Sequence, residues 1–256
     1  MAELVEGQNV SEAWFRACQR LMERGRRMTN LVVSVKHPQV ERSDIRELVD
    51  QYFDALQSAD TGSVDAVADT IFPSDFYDGG EKDAEEHLYA RWRLARKFEE
   101  LSIPNGDYFA RMVSYPGVKK VNQLERVARR LRWAYYKKLG NSNQSEIALS
   151  APELDEEIRI QDPEEDTYTM GFPCLSHISV TLEERRIHLS ATYRSQDFAL
   201  KAYGNYVGLS RLQHFLASES GFEPGEVVCT ATCGTLPSRG QITDLLKECK
   251  RLLPDE

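Results

Sequence analysis

Phe172-Pro173-Cys174 is followed by Tyr193-Arg194-Ser195-Gln196-Asp197 and then by Gly204-Asn205. One short stretch thus holds a thiol, a cation, a hydroxyl, a carboxylate and a side-chain amide. Cys174 to Val180 and Ile187 to Tyr193 read as two β-strands, with Glu183-Glu184-Arg185-Arg186 as the turn between them. On adjacent strands of one hairpin, Cys174 and Arg194 can approach each other. A cation beside a thiol favours the thiolate, the nucleophilic form. Asp197 and Gly204-Asn205 also have plainer readings: Asp197 can cap a turn, and Gly204-Asn205 can open the following helix.

Working outward, Leu209 to Ser220 is an apolar helix that stops at Gly221. Val227 to Ala231 reads as a further strand and Gln241 to Leu253 as a terminal helix. Upstream, Ser11 to about Arg27 has helical spacing, with Ser11 as N-cap and Trp14, Cys18, Leu21 and Met22 on one face. Leu31 to Val35 is a β-branched strand. Ser43 opens a second helix that buries Ile45, Leu48, Val49, Tyr52, Phe53 and Leu56. A short helix follows at Val64 to Ala68, then charged helices at Ala84 to Leu101 and Val121 to Leu139. Glu146 to Ser150 reads as a strand, and Glu153 to Asp166 as an acidic surface connection. Helices before a late sheet give an α+β class, a mixed sheet covered by helices, in a single domain spanning 1–256.

The 256 residues are 41% apolar and 29% charged, a globular composition with no run long enough to span a bilayer. The acidic amino terminus lacks an apolar signal core, which points to the cytoplasm. A net charge of −9 argues against broad nucleic-acid binding. The basic stripe Arg126, Arg129, Arg130, Arg132, Lys137 and Lys138 then reads as a solvated helix face. Five cysteines, an odd number, read as reduced thiols. Cys229 and Cys233 lack partners at zinc spacing, so no metal is expected.

The Pro-Cys strand, the Arg-Ser-x-Asp run about twenty residues on and the later Asn together resemble the catalytic core of thymidylate synthase and related pyrimidine hydroxymethylases. The resemblance covers roughly 165–236 of this sequence. It implies a thymidylate-synthase-like fold and a Cys174 thiolate that adds to carbon-6 of a pyrimidine nucleotide or nucleoside. Carbon-5 then attacks a one-carbon electrophile drawn from 5,10-methylenetetrahydrofolate. It implies that Arg194 and Ser195 bind the nucleotide phosphate, with Arg26 or Arg27 as a further phosphate ligand. Asp197 would contact the folate pterin. Asn205 would read the base edge and lean toward uracil. It also implies a homodimer that packs sheet against sheet. Ile178, Val180, Ile187 and Leu189 are the apolar positions expected to supply the covered face.

The chain departs from that pattern in several places. Leu175 stands where the family has a His after the catalytic Cys, and Thr235 and Pro237 stand at the ribose-binding His and Tyr. Ser145 and Glu146 replace the arginines donated across the dimer. Glu47 or Gln51 correspond to the catalytic glutamate and Phe72 to the tryptophan near it. At its carboxyl end the chain is short for the family. Three readings follow: a pyrimidine C5 methyl- or hydroxymethyltransferase, a non-catalytic nucleotide-binding or protein-interaction subunit of the same fold, or a different thiol enzyme on this scaffold.

Overall fold

The computed structural model describes residues 2–56, 62–98, 108–115, 121–138, 157–162, 166 and 173–253. Its fold is α+β, built on a mixed sheet. Strands β1 (Glu3–Gly7), β2 (Arg27–Val35), β3 (Glu157–Arg159), β4 (Leu175–Glu183), β5 (Arg186–Tyr193), β6 (Gln196–Asp197) and β7 (Glu223–Thr235) lie in the order β1-β2-β7-β5-β4-β3, and β6 pairs with β7. β1 runs parallel to β2, and both β5 and β6 run parallel to β7. The β2–β7, β4–β5 and β3–β4 pairs are antiparallel.

The expected hairpin is present. β4 and β5 pair from Leu175↔Tyr193 to Glu183↔Arg186. Glu184 and Arg185 form its two-residue turn, both in the left-handed region, at φ 47° and 60°. That geometry matches the twist of the flanking strands.

Helices α1 (Val10–Glu23), α2 (Ser43–Leu56), α3 (Val64–Asp69), α4 (Ala84–Phe98), α5 (Tyr108–Val113), α6 (Gln123–Tyr136), α7 (Ala202–Ser220) and α8 (Ile242–Leu252) complete the described fold. Helix α1 begins earlier than the sequence signal. Its cap is Asn9, whose side chain accepts from Glu12 N at 3.0 Å, while the Glu12 carboxylate accepts from Gln8 N at 2.8 Å. Ser11 is instead buried, with its hydroxyl 2.9 Å from the Tyr203 hydroxyl and accepting from Arg42 N at 2.9 Å. Helix α7 also begins earlier, at Ala202, and ends as expected on left-handed Gly221 at φ 82°.

The sheet buries one face. Ile178, Val180, Ile187, Leu189, Val227 and Cys229 are at most 3% exposed, and α7 packs on β5 and β7. Alternate residues of the same strands, among them Ser179, Thr181, Ser190, Thr192 and Thr230, are half-buried or exposed. This corrects one expectation. Ile178, Val180, Ile187 and Leu189 belong to this chain's own core, so they supply no face for a partner. The open face is mainly polar, with Leu4, Val32 and Val228 among its residues. A second correction concerns 153–166, read as a surface excursion. Glu157–Arg159 forms edge strand β3 on β4, and Asp166 is held by both Arg111 guanidinium nitrogens at 2.7 and 2.8 Å. The strand expected at 146–150 lies outside the described residues.

Candidate functional site

The topology gathers the sequence-predicted residues at one end of the sheet. β5, β6 and β7 finish there, at Tyr193, Asp197 and Thr235, and β4 and β2 begin there, at Leu175 and Arg27. Cys174 and Arg194 extend the β4–β5 pairing by one step. Arg194 N donates to Cys174 O at 2.9 Å, and its guanidinium Nε donates to Pro173 O at 3.2 Å. The arginine side chain therefore folds back along the backbone that carries the thiol. Cys174 is half-buried and packs against the core.

Tyr108, at the start of α5, joins this pair. Burial pushes its hydroxyl up to about 12. The Cys174 thiol adds to that shift, and the backbone N–H groups of Leu175 and Cys174 and the Arg194 cation oppose it. The phenol thus stays protonated at neutral pH. No local pattern marked it, because its neighbours come from a distant part of the chain.

Asp197 does what its plainer reading requires. Its Oδ1 accepts from Ala199 N at 2.8 Å and Leu200 N at 3.1 Å, and its carbonyl accepts from Lys201 N at 2.9 Å. That turn launches α7. Oδ2 lies 4.0 Å from Arg239 Nη2. It retains acceptor capacity for a further N–H donor. The Ser195 hydroxyl is half-buried and hydrogen-bonds no group among the described residues.

Asn205 sits in the first turn of α7 and is 4% exposed. Its side-chain amide has no hydrogen bond among the described residues. Its position is set by the close packing of α7 on α3. A Cβ on Gly204 would lie 2.6 Å from Val67 Cβ and 2.7 Å from Val64 O. One on Gly208 would lie 2.6 Å from Ala68 O. Glycine at both positions lets the two backbones approach.

Arg27 opens β2 and Arg26 immediately precedes it, and β2 is separated from the Cys174 strand by three strand spacings, roughly 14 Å. Arg26 is left-handed at φ 69°. Its guanidinium donates to Thr243 Oγ1 at 3.0 Å and to Leu236 O at 3.4 Å, tying β2 to α8. Arg27 is exposed. Phe72 is a core residue, edge-to-face with Phe109 and Tyr77 and tilted against Phe215. Glu47 accepts a hydrogen bond from Gln51 at the surface.

No protein-family model matches the chain. It is 25% identical over 228 residues to a protein of Methanosarcina mazei named "Putative thymidylate synthase", covering 89% of this chain and 86% of that protein. A protein of the same name from Methanosarcina acetivorans is 32% identical over 65 residues, 25% of this chain and 30% of its own length. Over most of its length the chain is thus similar to the Methanosarcina mazei protein, and over a quarter of it to the Methanosarcina acetivorans protein.

Proposed function

We propose that this chain transfers a one-carbon unit to carbon-5 of a pyrimidine nucleotide or nucleoside, with Cys174 as nucleophile. The observation that carries the reading is the Cys174–Arg194 junction, with a protonated Tyr108 beside it and Asn205 at the same end of the sheet. The Cys174 sulfur forms a bond to carbon-6, and the electron pair of the 5,6 double bond moves to carbon-5 and the ring carbonyl. Carbon-5 would bond the one-carbon unit and lose its proton. The unit's bond to its carrier nitrogen would break, the electron pair leaving on that nitrogen, and water, or a hydride from the reduced carrier, would add to the exocyclic carbon. Elimination of the thiolate then restores the double bond. Arg194 stabilises the thiolate before addition and after release. Asn205 pairs with the base edge, and Ser195 binds phosphate with Arg194. Arg27 and Arg26 add charge at the sheet end. 5,10-Methylenetetrahydrofolate supplies the one-carbon unit, with Asp197 Oδ2 as the pterin contact.

Ordinary dUMP and dCMP are held weakly in this reading. Leu175, Thr235 and Pro237 offer none of the family's polar contacts at their positions, and the Arg26 guanidinium already bonds Leu236 and Thr243. Each missing charge-assisted bond removes ~1.5–3 kcal/mol. The same account includes a single cytoplasmic domain that pairs as a homodimer through the polar sheet face. Asp197's commitment to its own turn favours a second reading, a non-catalytic nucleotide-binding subunit. Release of tritium from a 5-tritiated deoxyuridine nucleoside or nucleotide separates the two. The enzyme reading expects release that vanishes in Cys174→Ala. Release at the same rate in both proteins, or in neither, defeats it.

A further inference from the structure

Three buried polar side chains, on β5, β6 and α7, lack a partner among the described residues. Both amide atoms of Gln196 and the hydroxyls of Tyr193 and Tyr206 are buried and unpartnered among the described residues. Gln196 is 2% exposed. It stands on β6 between Ser195 and Asp197, and pairs in register with Gly234 of β7. Paired residues of a ladder share a face. A Cβ on Gly234 would meet Leu31 and Phe198, so Gln196 points to the helix-covered side of the sheet. Tyr193 points there too, in register with Leu175 and Ala231. The other positions of β5 and β7 on that side are apolar: Ile187, Leu189, Ala191, Val227 and Ala231. A glutamine that breaks this pattern, with donors and acceptor both unmet, destabilises the free protein. Such violations collect at functional sites.

We propose that Gln196 is a ligand-contacting residue of this site, its side-chain amide pairing with the polar edge of a bound pyrimidine ring. The inference rests on the pyrimidine reading above. The chemistry recommends the match. An amide offers N–H and C=O side by side, and the –NH–CO– edge of a uracil ring presents the complement. Asn205, 4% exposed, sits in the first turn of the helix that follows, so two amides flank the Asp197 turn in sequence. A site that hydrogen-bonds its ligand with buried groups leaves those groups unmet when empty.

The test compares wild type with Gln196→Met, and with Gln196→Leu as a second apolar replacement. Ligand-observed NMR, which reads millimolar affinities, uses dUMP, deoxyuridine and base-free 2-deoxyribose 5-phosphate as probes. Thermal melting and iodoacetamide alkylation of Cys174 report on the fold and the thiol. The expected result is a variant that melts at or above wild type and alkylates as wild type. It binds dUMP and deoxyuridine at least about tenfold more weakly, with its response to deoxyribose 5-phosphate unchanged. Pyrimidine affinity within about twofold of wild type overturns the proposal. So does failure of both variants to fold, or a fall in all three probes together, since each makes the amide structural. A wild type that binds neither pyrimidine probe overturns the pyrimidine reading itself and this inference with it, an outcome recognisable because the unmutated protein is silent.

Discussion

Replacing Gly204 with alanine sets two effects of opposite sign against each other. In a helix, alanine is more favourable than glycine by ~1 kcal/mol. Against this, the new Cβ would sit 2.6 Å from Val67 Cβ and 2.7 Å from Val64 O, where carbon contacts settle at ~3.5–4.0 Å. Helices α3 and α7 would have to part by roughly 1 Å, and overpacking of this kind costs ~1–3 kcal/mol. The contact offsets or outweighs the propensity gain, so Gly204→Ala destabilises by up to about 2 kcal/mol net. Gly208→Ala meets Ala68 O at 2.6 Å and Ile71 Cβ at 2.9 Å and behaves alike. The double variant loses less than the sum, because the first alanine has already opened the shared interface. Urea unfolding gives both signs directly. Stabilisation by ~1 kcal/mol in either single variant would show that propensity alone operates. The close α3–α7 packing, and with it the account of how Asn205 is placed, would then be wrong.

Arg194→Ala removes the guanidinium that lies along Pro173 and Cys174. Iodoacetamide alkylation of Cys174 at neutral pH should slow by a factor on the order of three to ten, and an unchanged rate removes the proposed activation. Asp166→Ala strips both nitrogen contacts from Arg111 at a carboxylate only 7% exposed, and should cost about 3 kcal/mol in urea unfolding. Glu226 gives a pH test. Burial raises its carboxyl, but the Ser34 hydroxyl and the Lys36 ammonium together hold it below its usual value. A depressed carboxylate contributes stability that is present above its unfolded pKa and lost as pH falls through the folded one. Glu226→Gln should therefore lose less urea resistance than wild type between about pH 6 and about pH 3, and identical profiles would count against the interaction.

The hairpin that brings Cys174 and Arg194 together was more legible in the sequence than the elements around it. The hairpin showed because β4 and β5 alternate cleanly and the charged tetrapeptide 183–186 breaks them. The alternation identifies an apolar face without saying what covers it. Ile178 and Leu189 could be taken for a partner's surface because alternation alone does not say which sheet face is covered by α7, whose open side carries Arg211, His214 and Ser218. The start of α7 was hidden for a related reason: Gly204 and Gly208 look like helix breakers until α3 is seen against them. β1 is five residues long with two glutamates, too short and too charged to announce a strand. The acidic composition near 157–166 concealed β3 and the Asp166–Arg111 pair. Tyr108 and the orphaned amide of Gln196 are features of assembly, legible only once distant segments meet.

The central claim is that Cys174 forms a covalent bond to a pyrimidine ring. Intact-protein and peptide mass spectrometry after incubation with 5-fluoropyrimidine nucleosides and nucleotides, with and without 5,10-methylenetetrahydrofolate, tests it most directly. The account predicts one adduct per chain, on the peptide carrying Cys174, favoured by the folate and absent in Cys174→Ala. No labelling of Cys174 by any fluoropyrimidine, with or without folate, would contradict it and leave the chain a binding protein on a catalytic scaffold.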